Sequence, residues 1–177
     1  VEGGESTLEA IGRSHESLTN YVGDEEGLAR ELLRAAKTSQ EDAKAKLISA
    51  RGTSDDFVFR MTENYGVLLN SSLVMTRGVD NLLAISSDLE ETLSYYRRGA
   101  YEEAAEKASV CLQTLYPLVD HFEEGNQSLN GLNLFYVASG HKDRVRYAVV
   151  QYRNEMRIYH QYISLLESIK EGDEYLE

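Results

Sequence analysis

Apolar residues recur at steps of three and four along the middle of the chain: Val58, Met61, Tyr65, Leu68, Met75, Val79, Leu82, Leu89, Leu93 and Tyr96, with Ser72 and Ser86 on the same line. A strand would alternate every second residue, so this spacing predicts one uninterrupted helix with a heptad seam, roughly 60 Å long at about 1.5 Å per residue. Thr53-Ser54-Asp55-Asp56 supplies a cap and an acidic first turn ahead of it. Behind it, Arg97-Arg98 suit the negative end of the helix dipole and Gly99 suits a left-handed residue.

The flanking stretches carry similar seams. Leu8, Ile11, His15, Leu18 and Val22 begin one that resumes in phase at Ala29, Leu32 and Ala36 and runs on through Ala43, Leu47 and Ala50. This predicts a first helix over about 6–51 with weak points at Gly23–Gly27 and Thr38-Ser39, where glycines and hydroxyls compete with helix. A third seam, from Tyr101 and Ala105 through Leu112, Val119, Phe122, Asn126 and Asn133 to Tyr136, predicts a helix over 100–139 that bends at Pro117. A fourth, Val145, Ala148, Tyr152, Met156, Tyr159, Ile163, Leu166 and Ile169, predicts a helix over 141–171 after Gly140.

Long helices at 6–51, 54–97, 100–139 and 141–171, joined by turns of two or three residues, must lie antiparallel to their neighbours, because such links cannot carry the chain back along the rod. The expected fold is therefore all-α, a long up-down-up-down antiparallel four-helix bundle. It forms a single domain over 1–175, and Leu176-Glu177 read as a cloning scar. An even number of helices returns both termini to one end, as in a domain looped out between two membrane helices. Leu69, Leu73 and Leu83 lie off the main seam and predict a weak homodimer.

Composition narrows the chemistry. A net charge of −12 disfavours nucleic acid and anionic membrane surfaces as partners, since both are themselves negative. The single cysteine, Cys111, forbids an internal disulfide and falls beside a seam position, as a small core residue does. None of the four histidines has a Glu three residues before it, so the di-iron bundle pattern is missing; no metal site and no cofactor is expected. His15, in the first seam, reads as a core or rim histidine. No phosphate loop or activated nucleophile stands out, and the chain is expected not to be an enzyme. Tyr95-Tyr96-Arg97-Arg98-Gly99-Ala100-Tyr101-Glu102-Glu103-Ala104 resembles the central turn of a tetratricopeptide repeat, but no second copy follows, so it stands as a helix-turn-helix sequence.

From His141 to His160 the fourth helix departs from the acidic average: Lys142, Arg144, Arg146, Arg153 and Arg157 stand against Asp143 and Glu155. Arginine presents a planar fork to a carboxylate, so one reading is an anion-recognising face; the other is pairing with Glu102, Glu103, Glu123 and Glu124. Counting heights from the turns brings Ser72, Asn126, Arg153 and Arg157 near one level, which makes these four the predicted ligand-binding residues for a small carboxylate.

The functional expectation is a non-enzymatic extracytoplasmic domain of a membrane-anchored protein, a ligand-sensing module tethered by segments outside this chain. In architecture it resembles the four-helix sensor domains of chemoreceptors and sensor kinases, with no sequence motif of those families matched. The alternative is a cytoplasmic helical scaffold or adaptor that acts through protein–protein contacts.

Overall fold

The computed structural model describes residues 1–174 and is all-helical. The proposed scar at Leu176-Glu177 lies outside the described residues. Five helices follow one another: α1 (Glu2–Val22), α2 (Glu26–Ala50), α3 (Asp56–Arg97), α4 (Tyr101–Leu129) and α5 (Lys142–Glu174), with a short 3-10 turn at Leu134–Tyr136. No helix among the described residues is long and apolar enough to cross a membrane.

The central helix is as its seam predicts. α3 has 42 residues, about 63 Å at 1.5 Å per residue, and the Asp55 side chain caps it by accepting from the Val58 amide at 3.1 Å. It ends where Gly99 takes a φ of +78°.

The expected first helix over 6–51 is corrected to two. At Gly23–Glu25 the chain turns back: the Glu25 amide reaches the Asn20 carbonyl at 2.9 Å, and Asp24 sits in the left-handed region at φ +62°. That is a Schellman-type stop with aspartate in the place glycine usually takes. α2 then passes without interruption through Thr38-Ser39, the other expected weak point, where the Thr38 hydroxyl bonds back to the Arg34 carbonyl.

Directions follow from contacts. Gly4 lies against Tyr65 and the Tyr21 hydroxyl donates to the Leu82 carbonyl, so α1 runs parallel to α3. Gln40 reaches Ser72 and Lys37 reaches Asp80, so α2 runs antiparallel to it. Lys107 pairs with Asp88 while Asn64 reaches Asn133 just past α4, so α4 runs antiparallel to α3. Tyr65 meets His141 just ahead of α5 and Gly78 meets Tyr159, so α5 runs parallel to α3. The expected four-helix count is therefore replaced by five helices of alternating direction. The start of α1 and the end of α5 fall at opposite ends of the bundle, not at one end as an even number of helices would place them.

α1 can serve two interfaces because it carries two stripes. Gly3, Thr7, Ala10, Ser14 and Ser17 are buried and small, and Gly3 touches Leu47 while the Ser17 hydroxyl donates to the Ala29 carbonyl, so this stripe faces α2. The buried hydroxyls of Thr7 and Ser14 are satisfied by carbonyls one turn back in their own helix. Leu8, Ile11 and Leu18 form the second stripe and join the main core with Tyr65, Leu68, Met75, Leu82, Phe122 and Tyr152.

The expected third helix, 100–139, stops ten residues early, at Leu129, after passing through Pro117. Asn130 and Gly131 turn the chain. Asn64 of α3 then clamps the connection by donating to the carbonyls of Asn133 and Tyr136 at 2.8 and 2.9 Å. Of the apolar positions expected outside the core, Leu69 is buried and Leu83 packs against the core, leaving Leu73 exposed.

Candidate functional site

The four residues expected to share a pocket are not brought together. Ser72 is fully buried and its hydroxyl accepts from the Gln40 side-chain amide at 2.8 Å, so it faces α2. Asn126 and Arg153 do meet, on the outer face of α4 and α5: the Arg153 Nε donates to Asn126 Oδ1 and another guanidinium nitrogen donates to Asn130 Oδ1, both at 2.9 Å. Arg157 is exposed one turn further along α5. Counting from the turns fixes the height of a residue on a helix but not the direction in which it points.

A larger opening lies at the end of the bundle where α1, α3 and α5 begin. Here a concavity of about 870 Å³ is lined by Phe57, Met61, Phe135 and Val137 among others, together with the charged Lys142, Asp143 and Arg146. The apolar side is held by aromatic contacts. Phe57 and Phe135 meet edge to face at 5.9 Å, Phe135 and Tyr136 at 5.1 Å, and the Arg60 guanidinium covers the Tyr136 ring at 5.3 Å. Even so, Phe135 remains 67% exposed and Phe57 41%. Arg146 is tied to Asp143 at 3.0 Å.

Beneath this opening a chain of hydrogen bonds fixes the walls. The Tyr65 hydroxyl accepts from the Ala138 amide at 3.0 Å, which leaves its own proton to donate to His141 Nδ1 at 2.5 Å. The network thereby assigns the His141 proton to Nε2, which donates to Glu5 at 3.1 Å. Arg144 donates to the same carboxylate at 2.7 Å and holds the Glu5 carboxyl below its ordinary range. Burial pushes the Tyr65 phenol up. α1, α3, α5 and the 130–141 connection are thus joined by one polar string, and its tyrosine and histidine are already committed to partners.

No protein-family model, curated protein or solved structure matches this chain.

A second polar group sits deeper. Glu155 is completely buried, and neither carboxylate oxygen receives a hydrogen bond. Its nearest partner is His15 Nδ1 at 3.4 Å, itself without a hydrogen bond, and the Tyr159 hydroxyl one turn along is also buried and unpartnered. Burial pushes the Glu155 carboxyl up to about 7, with His15 opposing the shift. The seam puts His15 on an inward face, but its Nδ1 is not satisfied there as a core or rim histidine's would be, and Glu155 counts in the sequence only as one of the acids on α5. The signal was present: Glu155 lies three residues after Tyr152 and four before Tyr159, on the face those tyrosines bury. Cys111 is buried, and its thiol is pushed up by burial. Among the described residues no three His, Cys, Asp or Glu side chains gather as a metal site would require.

Proposed function

We propose that this chain is a non-enzymatic ligand-sensing helical bundle, displayed outside the cytoplasm by a membrane-anchored protein, and that it takes a small carboxylate with an apolar body. The observation that carries this reading is the concavity at the bundle end. Its apolar lining offers Phe57, Met61 and Phe135 to a hydrocarbon or aromatic body, while Lys142 and Arg146, the latter paired with Asp143 of the same lining, are the cations available to a carboxylate. Cations at this point run against the chain's net charge of −12. The site also borders the polar string joining α1, α3 and α5, so an occupant would bear on the relative positions of three helices.

Thermal-shift and calorimetric titration with straight-chain alkanoates of rising length and with aryl carboxylates tests this. Binding should strengthen with apolar length and weaken in Lys142→Glu and Phe57→Asp. Titrations without heat or shift, or binding indifferent to both substitutions, overturn the ligand assignment. The membrane tether is tested by the full-length coding sequence, where an apolar segment of about twenty residues adjoining the domain supports it.

A second reading, a cytoplasmic scaffold, is favoured by one other feature. A groove of about 360 Å³ between α2 and α3 exposes Ile48 and Leu73, and a Cβ built on Gly66 meets nothing there. An amphipathic helix fits such a groove.

A further inference from the structure

Glu155 on α5 and His15 on α1 oppose a carboxylate and an imidazole inside the core. The carboxylate is fully buried and unbonded, and the imidazole 3.4 Å away opens partly to solvent, with a quarter of its side chain exposed. A buried charge without hydrogen bonds is among the costliest arrangements a fold can hold. The cost depends on how many protons the pair carries. With one proton shared beyond the neutral imidazole, the pair is neutral overall; with none, a bare carboxylate remains in the core.

The surroundings supply no substitute. From α5 itself the neighbours are Tyr152 and Tyr159, both phenols kept un-ionised by burial. α3 presents Gly78 beneath Tyr159, and from α1 His15 alone acts on the Glu155 charge. No charged side chain of α3 or α4 acts on it among the described residues. α1 is joined to α2 along its small-residue stripe, and both are also tied to α3, through Tyr21 to Leu82, Gln40 to Ser72 and Lys37 to Asp80. Among the described residues the polar ties of α1 to α5 are this pair and the Glu5 contact with Arg144, with the Glu5–His141 contact just ahead of α5.

We propose that Glu155 and His15 form a proton-operated latch between α5 and the α1–α2 hairpin, closed while the pair holds a shared proton and loosened when that proton leaves. The latch works near neutrality because burial lifts the Glu155 carboxyl from 4.5 to about 7. A carboxyl raised in the folded state favours the closed bundle fully at pH below its unfolded value. That advantage is lost as pH rises through the folded value.

Hydrogen exchange of the native protein tests the proposal, with α1 amides compared against α4 core amides after correction for intrinsic rates. Between pH 5.5 and 8.5, α1 protection relative to α4 should fall by about tenfold or more. Glu155→Gln should abolish that fall, while the surface changes His121→Gln and His160→Gln should leave it intact. A constant α1-to-α4 ratio in the native protein, or the same fall in Glu155→Gln, overturns the latch. If Glu155→Gln does not fold, carbon NMR of the glutamate carboxyls in the native protein decides. One resonance titrating near neutrality supports the latch, and all glutamates titrating in the ordinary acid range overturns it.

Discussion

The phenol of Tyr159 on α5 lies directly over Gly78 on α3: a Cβ at position 78 would come within 2.3 Å of the hydroxyl oxygen and 2.6 Å of the ring carbon that bears it. The other two fully buried tyrosines make the same kind of contact, Tyr65 over Gly4 and Tyr152 over Gly125. Glycine's missing side chain is what lets each ring enter between helices. Gly78→Ala is expected to destabilise by about 1–3 kcal/mol despite alanine's better helix propensity, because the ring is enclosed and cannot swing away. Urea unfolding measures it, and unchanged stability would refute the packing.

Tyr159→Phe and Tyr65→Phe should behave differently. The Tyr159 hydroxyl has no partner, so its removal is expected to be neutral or stabilising and to relieve part of the Gly78→Ala defect. The Tyr65 hydroxyl serves the Ala138 amide and His141, so Tyr65→Phe strands two buried groups and should cost about 1–3 kcal/mol. Melting curves of the two single variants make the comparison; equal losses would contradict the hydrogen-bond assignment.

The reversal between α1 and α2 depends on Asp24 holding a left-handed conformation. Asp24→Val should lower stability by about 1–2 kcal/mol, the cost of placing a β-branched residue there, and Asp24→Gly should be tolerated. Denaturant midpoints decide, and a harmless valine would argue for a continuous first helix.

Stability should also respond to acid through Glu5. Arg144, the main cause, holds its carboxyl below 4.5, so the contact contributes fully above the unfolded value and is lost as pH falls through the folded one. Arg144→Ala should reduce the difference in melting temperature between pH 6 and pH 3. An unchanged difference would remove Glu5 from the acid response.

The expected weak homodimer now rests on Leu73 and Ile48 beside the α2–α3 groove, since Leu69 is buried. Sedimentation over a wide concentration range should show association that Leu73→Glu abolishes; a monomer throughout would exclude it.

Periodicity alone determined that the chain is helical, that α3 runs unbroken from Val58 to Tyr96, and that turns fall at Gly52, Gly99 and Gly140, because apolar spacing and turn chemistry are local properties. Tertiary structure decided the reversal at Gly23–Glu25. The apolar seam passes through that turn in phase, so spacing cannot tell a straight rod from a hairpin; the second, small-residue stripe on α1 needs α2 beside it to have a purpose. Tertiary structure also decided the site. Heights along helices brought Ser72 level with Arg153, but Ser72 points to α2 and Arg153 to the α4–α5 surface. The end concavity draws on residues far apart in sequence, Phe57, Phe135 and Lys142, and Glu155 met His15 across 140 positions of chain. Which side chains face each other between helices depends on rotation about each axis, and packing sets that rotation.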